Sequence, residues 1–384
     1  MAVTQPPKRI IAGGRKLVFY DYNEPTGHNL ADEDACIAVL YNPVFYTFIT
    51  AHAKCIKVWD ATNGSLQSIF RDLTKSDITC ICMDERKRKL FVGDQRGRCR
   101  SINIKNGQKI KSFKKQKDKN RVIEKEHELI SCAMYWGVGE NGDDEESVIK
   151  NQLILTSWDN EYYLFDDDDA ESRTGEQRSQ PTGRHKAPIN YLDFKMIPPF
   201  SASGKSNQGL IATASDDGTV IVYNQSSHRL ESTLYPPSKS GERESEVKIC
   251  KFLRGSDIIV SADMSGYLNF YAITPSPKKN SLLCQVILYN EKETIKGEEK
   301  IAFPIRGIDY DHERHLLFTG DEIGYLATWD VSRLIDKMEQ VMQQYKFQQK
   351  QISPDKGDAT FLTGTEHWEK IKFSSEDVKL VSNF

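Results

Sequence analysis

FYTFITAHAKCIKVWDATNGSLQSIF, residues 45–70, sets out one complete structural unit: an apolar run, a short polar turn, a second apolar run ending Ile56-Lys57-Val58-Trp59-Asp60, then Asn63-Gly64 and a further run. An Asn-Gly pair between alternating runs marks a two-strand hairpin, because both central turn positions need a positive φ. The stretch therefore reads as three consecutive antiparallel strands.

Working outward, the same pattern returns at about the 40-residue period that marks propellers and solenoids. It recurs as KLFVGDQRGRCRSINIKNGQKIKSF (89–113), QLILTSWDNEYYLF (152–165), LIATASDDGTVIVYN (210–224), IIVSADMSGYLNFYAI (258–273) and LLFTGDEIGYLATWD (316–330). KRIIAGGRKLVFYDY (8–22) reads as the middle two strands of a further, incomplete copy. An additional apolar segment precedes each full copy: CIAVLYN (36–42), ITCICMD (78–84), LISCAMYW (129–136), INYLDF (189–194), VKICKF (247–252) and IRGIDY (305–310). These are expected to be innermost strands, whose crowded surroundings favour near-continuous apolar runs. The expected fold is thus all-β, a β-propeller of about seven four-stranded blades over residues 1–330, one or two of them incomplete. Polar segments of unequal length (113–127, 137–150, 166–184, 234–246 and 290–301) are expected to be rim loops, which tolerate insertion because closure entropy grows slowly with length.

The copies resemble the WD-repeat family, since Val58-Trp59-Asp60 and Thr328-Trp329-Asp330 end third strands as its signature dipeptide does. The resemblance implies a buried network of Trp, Ser or Thr, His and Asp in each blade. Carried onto the 210–224 copy, it falls on His185 before the inner strand, Thr213 on the second strand and Asp217 in the turn, with Tyr223 where the family has Trp. Among the other copies the turn Asp is kept as Asp159 and replaced at Ala53, Arg96 and Ser265, while glycine persists one residue later at 97, 218, 266 and 324. The runs LYNPVFYTFITAHAKCIKVWDATNGS, ITCICMDERKRKLFVGDQRG, LTSWDNEYYLFDDDD and GRHKAPINYLDF look like the large ciliary WD-repeat proteins related to EF-hand-containing members. Members of that group are usually longer, with two propellers, and are associated with the axoneme; this chain corresponds to one propeller and carries no EF-hand loop.

After Asp330 the pattern changes. VSRLIDKMEQVMQQYKFQQK (331–350) has no Gly or Pro and places Leu334, Ile335, Met338, Val341, Met342 and Tyr345 on one stripe. Such a helix either packs on the propeller's own rim or docks a partner through anchors at helical spacing. The tail, 351–384, contains strand-like pieces at 359–364 and 370–374. One of them is expected to supply the weak inner strand of the first blade and close the ring, unless a partner chain does so.

Composition narrows the function. The 384-residue chain has a net charge of −3 and a pI near 6.3, so it carries no global basic field for nucleic acid or an anionic membrane. No apolar run reaches spanning length, and Met1 to Arg9 lacks a signal-peptide apolar region, which gives a cytoplasmic expectation. Eight cysteines scattered through apolar segments read as small buried hydrophobes; Cys80 and Cys82, a C-x-C on one strand, share a face and do not make a zinc motif. Gly204-Lys205-Ser206 lacks the glycine and following helix of a phosphate loop, and Asp166 to Asp169 lacks the Gly and Glu of a calcium loop. The basic run Lys114 to Arg121 lacks interleaved aromatics and reads as a solvated or tubulin-facing loop.

No catalytic, metal or cofactor residues are expected. The expected function is a non-enzymatic scaffold binding several proteins, tubulin or axonemal proteins among them, in a ciliary or other microtubule-based assembly. The alternative is a substrate-recognition adaptor in a ubiquitin-ligase or trafficking complex, which fold alone does not separate from the first. An enzyme using the central channel ranks last, because no convergent carboxylates or metal-ligand spacings appear in the inner-strand segments.

Overall fold

The computed structural model describes residues 2–3, 9–13, 17–21, 24–29, 34–114, 128–138, 149–167, 176–177, 185–197, 208–225, 229–237, 245–273, 282–287, 302–351 and 371–383. Side chains of the first four strands and of residues 114, 130, 134–138, 149–150, 176–177, 196–197, 208, 344–351 and 383 lie outside that description. The strands pair into seven four-stranded antiparallel sheets, each meandering from an innermost to an outermost strand. They are β1–β4 (Ala2–Val3, Arg9–Gly13, Leu17–Asp21, Glu24–Asn29), β5–β8 (Ala38–Asn42, Thr47–Ala51, Cys55–Asp60, Leu66–Arg71) and β9–β12 (Ile78–Met83, Lys89–Asp94, Arg98–Asn103, Lys109–Lys114). Then come β13–β16 (Leu129–Val138, Ile149–Ser157, Tyr162–Asp166, Glu176–Gln177) and β17–β20 (Ile189–Ile197, Gln208–Ser215, Val220–Asn224, Leu230–Leu234). Last are β21–β24 (Val247–Leu253, Ile258–Asp263, Tyr267–Ala272, Leu282–Ile287) and β25–β28 (Ile305–Asp311, Leu316–Asp321, Leu326–Asp330, Lys379–Asn383), with helix α1 (Ser332–Gln351) between β27 and β28.

Burial follows position in the sheet. The second strands β6 and β22 are buried at every residue, whereas the outer strands β8 and β20 are exposed or half-buried at every residue but Leu234. The inner strands, expected to carry near-continuous apolar runs, divide: β9 and β21 are buried at all but one or two residues, whereas β5 and β25 are mostly half-buried, with Arg306 of β25 exposed. A middle strand is flanked by partners on both edges and covered on both faces, so all its residues leave water.

The chain packs as two compact units, residues 1–217 with 221–231, and residues 218–220 with 232–384. In the first, the inner strands β5, β9, β13 and β17 are successive neighbours. One inter-sheet core joins Ile49, Ile56 and Val58 to Ile81, Leu90, Val92 and Ile102, and the next joins Phe91 and Phe113 to Leu129, Leu153 and Phe165. At about 25 cal/mol per Å² of apolar surface, each fully buried Ile, Leu or Phe contributes about 1.5–3 kcal/mol. Phe113 stands 5.7 Å from the Phe91 ring and meets Phe165 edge-on at 5.8 Å.

In the second unit β21 neighbours β25, and α1 packs through its apolar stripe: Leu334, Ile335, Met338 and Val341 are all buried. The reading of this stripe as a partner's docking surface is therefore corrected, because these four side chains are taken up by the chain's own packing. Met342 is half-buried, and the side chain of Tyr345 lies outside the described ones. The expectation for the tail is corrected as well. Residues 359–364 lie outside the described set, residues 372–374 are irregular, and the strand is β28, which pairs antiparallel with β27 as the outermost strand of the last sheet. The innermost strand of the first sheet is the two-residue β1, paired with β2. A sheet that had ended at β27 would leave Trp329 and its neighbours on an open edge, and β28 covers it. Asp377 fixes the approach: its buried carboxylate accepts from Lys337 Nζ at 2.7 Å and from the Ser374 amide at 2.9 Å.

Of the expected loops, residues 115–127, 139–148, 168–175, 238–244 and 288–301 are outside the described set, as are Gly204 to Ser206 and residues 115–121 of the basic run.

Candidate functional site

The buried blade network assembles in β17–β20. A register shift between Ile189 and Tyr191 lets the segment before β17 fold over the β18–β19 turn. That brings His185 Nε2 to 2.8 Å from Thr213 Oγ1 and its Nδ1 to 2.9 Å from Asp217 Oδ2. A carboxylate only accepts, so Nδ1 carries the hydrogen it gives to Asp217, while Nε2 pairs with the threonine hydroxyl. Asp217 Oδ2 also accepts the Lys186 amide at 2.8 Å, and Ser215 Oγ donates to the Ala187 carbonyl at 2.9 Å. Tyr223 stands in the Trp position: burial pushes its phenol pKa up, a hydrogen bond with Thr213 offsets part of this, and its ring meets Tyr162 edge-on at 5.0 Å.

The two tryptophans of the signature dipeptide each donate to a threonine one strand away: Trp59 Nε1 to Thr50 Oγ1 and Trp329 Nε1 to Thr319 Oγ1, both at 2.9 Å. In β5–β8 the network continues through His52, whose Nε2 lies 2.9 Å from Thr50 Oγ1 and whose Nδ1 lies 3.0 Å from the Ala35 carbonyl. The dipeptide's aspartates do separate work. Asp60 Oδ1 accepts the Thr62 amide at 2.7 Å, which holds its carboxyl below the ordinary value, and opens the β7–β8 hairpin. Asp330 Oδ1 accepts the Ser332 amide at 2.9 Å and the Ser332 hydroxyl at 2.6 Å, holding the first residue of α1. Asp159 takes a different partner, accepting from Tyr163 Oη at 2.6 Å; burial first, and then Asp159, raise the Tyr163 pKa.

Three residues that organise the turns are absent from the expectations. Where Arg96 and Ser265 stand for the turn Asp, the carboxylate sits two residues earlier, at the end of the second strand. Asp94 Oδ1 accepts from the Arg96 and Arg98 amides, each at 3.0 Å, and Asp263 Oδ1 accepts from Ser265 at 2.9 Å and Tyr267 at 3.1 Å. Asp321 Oδ1 does the same for Ile323, Gly324 and Tyr325 at 2.8–3.1 Å. The signal was present as Asp-x-x-Gly in GDQRG, ADMSG and GDEIG. The turn glycines take positive φ at 97, 218, 266 and 324, and Asn160 takes the same conformation, φ 66°, in the β14–β15 turn.

Chemistry other than hydrogen bonding is sparse. Cys80, Cys82, Cys99 and Cys132 share one buried cluster as free thiols whose pKa values burial and mutual proximity push up, which disfavours the nucleophilic thiolate. Among the described residues no group of three or more His, Cys, Asp or Glu has metal-holding geometry, and no helix is long and apolar enough to cross a membrane. Large apolar side chains do reach solvent in the turns, notably Val44, Tyr46, Trp158 and Ile323.

No protein-family model matches the chain. Cilia- and flagella-associated protein 337 B of Tetrahymena thermophila is 31% identical over 109 residues, which are 28% of this chain and 9% of that protein, so the chain spans under a tenth of that relative's length. Among solved structures, the RRP9 WD40 repeats superpose with a TM-score of 0.59 at 10% identity, covering 83% of this chain and 86% of that one. U3-55K gives 0.58 at 15% identity, over 79% of this chain and 80% of that one. The designed protein Ika8 gives 0.52 at 15% identity, over 86% and 82%. The chain has the WD-repeat β-propeller fold.

Proposed function

We propose that this chain is a non-enzymatic protein-interaction scaffold of a ciliary or axonemal assembly. The observation that carries the reading is the 31% identity over 109 residues to a cilia- and flagella-associated protein. A propeller suits the role because its core is rigid while its turns are varied: binding energy then comes from a few presented anchors, with little ordering cost. The buried His185 and His52 networks fit this division of labour, since they tie turns to strands and leave the surface for recognition. Its partners are proteins of that assembly, tubulin among the candidates.

The test is to cross-link cilia expressing the tagged protein, extract with detergent and identify what remains attached. Retention in the axonemal fraction, with cross-links to axonemal proteins, is expected. Release into the detergent-soluble fraction with no cross-linked partner would sink the reading.

A further inference from the structure

Three neighbouring turns in β5–β8 and β9–β12 build a predominantly basic surface around exposed apolar side chains. The β5–β6 turn, Asn42-Pro43-Val44-Phe45-Tyr46, is held from inside. Buried Asn42 accepts the Val44 amide at 3.0 Å and donates through Nδ2 to the Lys87 carbonyl at 2.8 Å, so the turn is bolted to the β9–β10 turn beside it. Tyr46 is forced into left-handed backbone, φ 52°, where a bulky residue is strained, and is 58% exposed; Val44 is 51% exposed. A strained aromatic kept in water on a rigid turn contributes nothing to the core.

The surroundings are basic. Arg86 and Arg88 are exposed and Lys87 half-exposed in the β9–β10 turn, and Lys105 and Lys109 are exposed in the β11–β12 turn. Lys105 Nζ lies 5.1 Å from the Phe45 ring centroid, and the Ile104 amide donates to the Arg88 carbonyl at 3.1 Å, so the three turns form one surface. The carboxylates of the β9–β10 turn are Glu85, exposed, and Asp84, buried and occupied by the Arg88 and Lys89 amides at 2.7 Å each. Next to them Lys89 and Lys111 share the single buried carboxylate of Asp167, at 2.7 and 3.3 Å. Gly107 lets the β11–β12 turn lie flat against β8, since a Cβ there would stand 2.7 Å from the Phe70 ring.

We propose that this surface docks an acidic peptide segment of a partner protein, with Tyr46 and Val44 seating an apolar side chain and Arg86, Arg88, Lys105 and Lys109 pairing its carboxylates. Charge complementarity selects the occupant: the β9–β10 and β11–β12 turns beside the apolar pair carry five cations against one exposed carboxylate, Glu85, on a chain whose net charge is −3, so the positive field is local. An aliphatic side chain beside a single exposed aromatic favours a peptide over a nucleic-acid strand, which is held by successive stacking aromatics. The proposal rests on the scaffold reading and names the chemistry of one of its partners.

The test titrates the full chain with a fluorescein-labelled peptide of ten glutamates carrying one central phenylalanine, at low and high salt. The expected result is salt-sensitive binding that weakens about tenfold or more for Arg86→Glu with Arg88→Glu, as for close charge pairs at an interface. Tyr46→Gly, which relieves the left-handed strain and so folds, should weaken it several-fold, while Lys54→Glu, in the β6–β7 turn at the other end of the strands, leaves it unchanged. No binding, equal binding of the glutamine version, or indifference to Tyr46→Gly and Lys109→Gln overturns the proposal. Tighter binding of a ten-residue oligothymidine overturns it in favour of nucleic acid. Carbodiimide coupling in cross-linked cilia separates the two readings. Partners recovered without coupling at Lys105 or Lys109 leave the scaffold intact and remove this surface, whereas recovery of no partner removes the scaffold itself.

Discussion

Sheets β5–β8 and β17–β20 solve the same problem with histidines from different places. In β17–β20 the histidine lies before the inner strand and reaches into the turn, where Asp217 receives it. In β5–β8 the order is reversed: His52 sits in the turn and reaches back to the segment before the inner strand, where the Ala35 carbonyl receives it. What both keep is a buried threonine under the imidazole, Thr213 or Thr50, and a hydrogen-bonded path tying the segment before the inner strand to the turn. The third-strand partner of that threonine differs too, Trp59 in one and Tyr223 in the other. The lesson is that the link itself is what stabilises a blade, and any residue that completes donors and acceptors in a buried place can supply it.

The comparison breaks most visibly at the histidines. His185→Ala leaves a threonine hydroxyl and a largely buried carboxylate without their ring partner, and should cost about 3 kcal/mol; His52→Ala takes one of the two partners of Thr50 and the ring partner of the Ala35 carbonyl, and should cost about 2 kcal/mol. Urea unfolding of the two variants checks both the sizes and their order, and a larger loss at His52 would mean that the carboxylate adds nothing to the link. A smaller effect is expected at the donor end. Trp59→Phe keeps an aromatic side chain but removes the N–H given to Thr50, which still has His52, and part of the buried indole, so the loss should be about 1.5 kcal/mol. A loss at Trp59 matching that of His52→Ala would show that the path acts as one unit whose bonds are not separable.

Much of this was legible beforehand, and unevenly. Strand alternation and turn glycines located the sheets, because burial period and positive φ leave their mark in every copy. His185, Thr213 and Asp217 were found because they stand at the family's places. His52 was not, because an imidazole in a turn has no period and its role depends on which carbonyl the fold brings opposite. Asp94, Asp263 and Asp321 are not marked by the resemblance, which puts the carboxylate two residues later, directly before the turn glycine. The stripe Leu334, Ile335, Met338 and Val341 was recognised as apolar, but spacing alone cannot say whether a helix covers its own chain or another's. The last strand escaped because KLVSN has weak strand character and forms by pairing with β27, a long-range contact no local window contains.

The smallest effect separates two kinds of turn carboxylate. Asp60 is half-buried and the Thr62 amide lowers its pKa, whereas Asp263 is buried and burial raises its pKa, with the Tyr267, Asn269 and Ser265 bonds offsetting only part. An unfolded chain releases the Asp263 proton near the ordinary value of 3.8, while the folded one holds it to higher pH. Between those two values the folded state binds more protons, so stability contributed by this site is full below the window and falls as pH rises through it. Asp60 works the other way, losing its contribution as pH falls below the ordinary range. Asp263→Asn keeps the shape and removes the titration, so the advantage of the natural chain over this variant should shrink as pH is raised from 3.8, read from urea midpoints across a pH series. An advantage that grew with pH would mean that the Ser265 and Tyr267 amides outweigh burial, and that Asp263 is a charged cap of the same kind as Asp60.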